Sequence, residues 1–172
     1  MFMKIKNLNI RYFSVPLLFL GMTVFRAQQM TLTVSGNNWT PSVPIITEAG
    51  NNYTGAYESP TNQILLSVSI PLALGSGRIS VQYEPNPTWN NALILRTRRT
   101  GNGTTTCVLC TISGGTAYQN ITLTSAELFR VQAVVALAAY SNIPIQLELT
   151  GVSVTIPAAV YQSRVVFTIG GL

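Results

Sequence analysis

From Met30 onward the chain alternates apolar and polar residues in short runs, each ended by Gly, Pro, Asn or Ser. Met30, Leu32 and Val34 alternate with Thr31, Thr33 and Ser35, and Ile64, Leu66, Val68 and Ile70 share a face opposite Ser67 and Ser69. Ile79, Val81 and Tyr83 do the same against Ser80, Gln82 and Glu84. Further extended runs cover Ala92 to Arg98, Ile121 with Leu123, Ile143 to Leu149, Val152 to Ile156 and Tyr161 to Ile169. A two-residue period puts one face of a strand in the core and the other in water. Many such runs with turn formers between them is the pattern of a sandwich or barrel. The expectation is an all-β chain of eight or nine strands in two packed antiparallel sheets, a β-sandwich. The competing outer-membrane barrel needs strands of about ten residues and aromatic girdles, and most of these runs are shorter.

Two stretches carry weaker patterns. Residues 36 to 62 are rich in Asn, Gly, Pro, Ser and Thr and read as loops with one short strand. Ser125 precedes Ala-Glu-Leu as an N-cap would, and Val131 to Ala139 is an apolar run that periodicity alone does not assign. A short helical turn followed by a buried strand is expected there.

The segment ahead of the first run differs in kind. Lys4, Lys6 and Arg11 precede an apolar core, Ser14 to Phe25, followed by Ala27-Gln28-Gln29. Such a core is the length of a signal-peptide h-region and short of the roughly 20 residues a spanning helix needs. We expect a signal peptide over residues 1–27 and a single domain over 28–172, with a retained anchor as the alternative. The protein is thus expected to be exported through the periplasm to the cell surface or beyond, touching membrane only through its transient leader.

Four of the ten basic residues lie in that leader, so the formal charge of +5 belongs largely to it. The remainder carries six Arg against five Glu. Nucleic-acid binding leaves a basic footprint; the one concentrated run, Arg96-Thr97-Arg98-Arg99, reads as a solvated strand end, and no nucleic-acid partner is expected.

The chain contains neither His nor Asp. This removes the Ser-His-Asp and Cys-His arrangements, and with two Cys it leaves no ordinary zinc set and no EF-hand loop. A domain of this length buries about 68–70% of its unfolded surface and needs no metal to fold. No cofactor and no metal are expected. Paired Glu could cleave glycosides, but Glu58, Glu84 and Glu148 read as solvent-facing or loop positions, and the expected role is non-catalytic. Cys107-Val108-Leu109-Cys110 is flanked by Thr-rich, strand-favouring sequence, not by the helix that activates a redox Cys-x-x-Cys. A structural disulfide, which requires a local turn, is the main reading in an exported protein, with two buried thiols as the alternative.

The segment from Ile156 to Ile169, with Pro157-Ala158-Ala159-Val160-Tyr161 followed by the alternating strand, resembles the closing strand of chaperone–usher pilins and of spore coat U-like secreted proteins. Ala159 stands where that pattern usually has Gly. The resemblance covers about fifteen residues, and it places Tyr161, Val165, Phe167 and Ile169 in a C-terminal strand. It implies an immunoglobulin-like, pilin-like sandwich lacking one strand, completed by strand addition. Other copies or related fibre subunits, a periplasmic chaperone and an usher are the implied partners. Met30, Leu32 and Val34 would then be the donor strand; the alternative is that they form the domain's own first strand. A structural subunit of a bacterial surface fibre or coat is the leading expectation. A monomeric carbohydrate-binding module is the other, carried by Trp39 and Trp89 within Asn-rich loops. Sugar stacking there competes with burial of either ring in the core.

Overall fold

The computed structural model describes residues 29–53, 55–71, 75–133 and 138–172. The expected signal peptide, residues 1–27, lies outside them. The described residues form eleven strands in chain order: β1 Thr31–Gly36, β2 Tyr57–Glu58, β3 Ile64–Ile70, β4 Ser76–Pro85, β5 Ile94–Arg99, β6 Thr104–Thr105, β7 Thr111–Ser113, β8 Gln119–Asn120, β9 Ala126–Gln132, β10 Ala138–Thr150 and β11 Ser163–Gly171. Every strand pairing is antiparallel. One sheet runs β1-β3-β10-β5-β8, with β2 and β6 also on β10; the other runs β11-β4-β9-β7. The chain is thus all-β, with two antiparallel sheets arranged as in a β-sandwich.

β10 is the spine of the larger sheet. One side pairs β3 and then β2, and the other pairs β6 and then β5. Its register shifts between Tyr140 and Ile143, where Asn142 takes a positive φ of 55°. Asn tolerates that left-handed conformation better than most residues. The bulge also accommodates Pro144, which cannot donate to a ladder; its carbonyl accepts the Thr100 N–H at 3.0 Å. Gly103 fits over the bulge because any side chain would collide with the Ser141 carbonyl.

The two inner faces make one core. Leu66, Val68 and Ile70 of β3, Ile143, Ile145, Leu147 and Leu149 of β10 and Leu95 of β5 come from the larger sheet, and Ile79, Val81, Phe129, Val131 and Phe167 from the smaller. Burying each such side chain contributes about 1.5–3 kcal/mol.

Several expectations are corrected. The helical turn at Ser125 is strand β9. Alternation wins because Val131 is buried while Glu127 and Arg130 point outward and pair at 2.6 Å. A register shift opposite Ile79 and Ser80 lets the consecutive Leu128 and Phe129 both be buried, and this disguised the period. Part of the following apolar run, 134–137, lies outside the described residues. Residues 152–156 form a turn after Gly151, whose φ is 79°, and Ile121 follows β8 without belonging to a strand. The strand number exceeds eight or nine because β2, β6, β7 and β8 span only two or three residues, too few to show a period.

Candidate functional site

Edge strands carry unpaired backbone groups, and proteins usually blunt them with Pro, Lys, bulges or shortness. β11 has none of these. Its register with β4 runs unbroken from Ser163 opposite Pro85 to Gly171 opposite Gly77, and its other flank meets no strand among the described residues. Arg164 is its one charged residue, and Glu84 takes that guanidinium, Nε to Oε2, at 2.9 Å. Of the inward row, Phe167 is buried while Val165 and Ile169 are only half-buried.

Beside β11 lies the edge of the other sheet, β1. Leu32 and Val34 sit opposite Val68 and Leu66 of β3, so both face inward. Leu32 is half-covered and Val34 is 49% exposed. Met30 continues that row and packs against the core. In the single chain, Met30, Leu32 and Val34 therefore belong to the domain's own first strand and its immediate approach. Two edges from different sheets run side by side, each with an incompletely covered apolar row. Tyr161, expected in the last strand, lies just before it, and its hydroxyl donates to the Pro157 carbonyl at 2.5 Å, closing the turn that feeds β11.

The opposite margin is stitched shut. Arg99 is 4% exposed, and so is not part of a solvated strand end. Its guanidinium donates to the carbonyls of Gly114 and Gly101 at 2.8–3.1 Å and to the Asn102 side chain, and it lies over the Phe129 ring. Burial lowers its pKa. Gln119 of β8 donates to the Glu127 carbonyl of β9 at 3.2 Å, bridging the sheets. On the outer face, Arg98 and Arg96 stack under Tyr118 at 4.5 and 5.3 Å. Glu148, expected in solvent, is buried and accepts from Arg96 at 2.5 Å, because its strand is the middle of the sheet. Burial first, and then the neighbouring Glu58 carboxylate, push the Tyr118 phenol up to about 12. Its oxygen is enclosed without a hydrogen bond.

The remaining candidates are dispersed. Cys107 and Cys110 are joined in a disulfide across a turn, with Cα atoms 5.4 Å apart, between β6 of one sheet and β7 of the other. Trp39 and Trp89 are each partly buried against the core, Trp89 tilted on Tyr83 at 5.8 Å. Two surface depressions, one lined by Ile45 to Asn52 and one by Glu84 to Asn86 with Gln162 to Arg164, include neither ring. Glu58 and Glu148 stand directly opposite on β2 and β10, but Arg96 holds one and Gln146 Nε2 contacts the other at 3.3 Å. Among the described residues no group of three or more side chains is placed to hold a metal ion.

Sequence reasoning missed Arg99 and Tyr118; alternation in Leu95-Arg96-Thr97-Arg98-Arg99 could have placed Thr97 and Arg99 on the inner face. No family model matches the chain, and no match was found among curated proteins or solved structures.

Proposed function

We propose that the protein is a non-catalytic structural subunit of a bacterial surface fibre or coat, exported by its N-terminal leader and assembled by β-strand complementation. The observation that carries this reading is the open margin: a nine-residue strand edge with no blunting device, beside a second edge whose apolar row is half covered. An added strand would pair the free backbone row of β11 and cover Val34, Val165 and Ile169 together.

The strand order supports an immunoglobulin-like type. An immunoglobulin sandwich has sheets A-B-E-D and C-F-G. With β1, β3, β4, β5, β10 and β11 taken as A to F, the larger sheet reads A-B-E-D and the smaller has F beside C. The G position, next to β11, is vacant among the described residues. The Tyr161 hydroxyl bond to the backbone before strand F matches the tyrosine corner of such folds. The charged start and apolar core of residues 1–25 support export.

β1 is the natural exchange element. Five of its six residues are exposed, and the described residues between 37 and 56 behind it contain no strand. The test is a denaturing gel, with and without boiling, of protein purified from the periplasm of an expression host, beside a form lacking Gln28 to Ser35. A heat-labile ladder that disappears on truncation is expected. A monomer in every lane, with the truncated form still folded, overturns the proposal and turns attention to a monomeric binding module.

A further inference from the structure

A pair of glycines marks the open margin. Gly77 of β4 and Gly171 of β11 are register partners, the last pair of the β4–β11 ladder. Neither has a positive φ, so backbone conformation does not require glycine at either. Glycine inside a strand weakens it and often marks a place where another group approaches closely. Here that group is Met30. A Cβ on Gly77 would lie 3.1 Å from the Met30 sulfur and 2.8 Å from Ile70 Cδ1, and one on Gly171 would lie 3.9 Å from the Met30 methyl. The Met30 thioether thus reaches from the residue just before β1 across to the edge of the other sheet, into a notch that the two missing side chains leave open.

We propose that the Gly77–Gly171 notch is a side-chain subsite for a thioether, whose filling by Met30 decides whether β1 stays on its own domain. In the single molecule the occupant is the chain's own Met30; in an assembly it is Met30 of a second copy. The second statement rests on the strand-exchange reading above; the first does not. Unbranched and polarizable, Met suits an irregular gap between two sheets better than a β-branched residue. Within β1 itself only Leu32 packs against the core; Val34 is half-exposed and Thr31, Thr33 and Ser35 face outward. Met30 is also the sole methionine outside the leader segment; the other three are Met1, Met3 and Met22. Oxidation there addresses one side chain of the domain. Peroxide transfers one oxygen to the sulfur in a two-electron step, leaving water and a sulfoxide too polar for the notch.

Amide hydrogen exchange on the purified protein tests the first statement. Met30→Ala is expected to speed exchange of the β1 and β3 amides that pair Leu32 and Val34 by about tenfold or more, leaving the β10 amides protected as the fold control. Met30→Leu, nearly equal in volume, stays within about twofold of the native chain. Gly77→Ala opens β1 as Met30→Ala does, and the double variant is no worse than either, because both act on one contact. Hydrogen peroxide opens β1 in the native chain and not in Met30→Leu. β1 exchange as slow as in the untreated native chain for Met30→Ala, Gly77→Ala and the oxidised protein overturns the subsite. For the second statement, any ladder formed by Met30→Ala should dissociate at a lower temperature than the native ladder; equal heat stability overturns it. β1 opening with no ladder in any form leaves the subsite standing and sinks the fibre reading instead.

Discussion

The two margins of this sandwich are built on opposite principles. On the β5, β8, β9 and β7 side, β7 and β8 are short and β9 is bulged, and the gap between sheets is crossed by Arg99, by the Gln119–Glu127 contact and by the disulfide-linked connection from β6 to β7. On the β1 and β11 side two regular edges lie together, crossed by apolar contacts centred on Met30. The closed margin spends buried polar groups on a unique arrangement, which is one attested use of such groups. The open margin, among the described residues, leaves Val34 half-exposed and the outer backbone row of β11 without a strand beside it, the kind of edge that strand addition would fill.

The comparison breaks most easily at Arg99. Replacing it with Ala removes its charged hydrogen bonds to the Gly114 and Gly101 carbonyls and its packing on Phe129 and should cost about 3 kcal/mol, read as a lower urea midpoint with an unchanged slope. If the midpoint moves by less than a third of that, the closed margin is not held by this side chain. The disulfide comes next. Closing a four-residue ring restricts the unfolded chain by about 2 kcal/mol in the loop-entropy account. Replacing both cysteines with Ser, or reducing the bridge, should lower stability by that order while β1 exchange stays as it was. A selective loosening of β1 would show instead that the two margins are coupled.

A subtler effect belongs to Tyr118. Burial pushes its phenol up to about 12 from the ordinary value of 10. A folded pKa raised in this way means the folded protein holds its proton longer. The associated stability is complete below pH 10 and is lost as pH rises through about 12. Tyr118→Phe should flatten that alkaline decline, leaving the part due to Tyr140, whose phenol burial also raises. Near neutral pH the same substitution should be neutral to slightly stabilising, because the hydroxyl it removes is buried without a partner. An unchanged alkaline slope would mean that Tyr118 is open to water.

How far this was legible in the sequence differs between the margins. The open margin is made of strands with a clean two-residue period, and Met30, Leu32, Val34, Val165, Phe167 and Ile169 were all visible as inward rows. Their roles as edges were not, because an edge is defined by which strand is missing beside it. The closed margin was largely invisible. β8 is two residues long, Glu148 looks solvent-facing until its strand is known to be the middle of a sheet, and Arg99 looks like part of a basic run until Thr97 is found with no exposure at all. The Gly77–Gly171 notch was equally hidden, since nothing in Ser76-Gly77 or Gly170-Gly171 says that the two would be register partners.

The smallest expected effect is the sharpest probe of what fills the open margin. The only charged residue on β11 is Arg164, three-quarters of whose side chain is exposed and which is held by Glu84. A surface pair of this kind contributes about 0–1 kcal/mol, so Glu84→Gln should barely move the unfolding midpoint. It does release a positive charge onto the strand edge. The proposed donor, Gln28 to Ser35, has no charged side chain, so its strand should feel neither that release nor salt. Assembly of the Glu84→Gln protein should therefore match the native rate, and both rates should be flat between low and physiological ionic strength, where a charged donor would be screened. A rate that falls with salt, and changes with Glu84→Gln, would mean that the occupant is an acidic segment of some other chain. Met30, Leu32 and Val34 would then be what they are in the single molecule: the inward row of a first strand that stays at home.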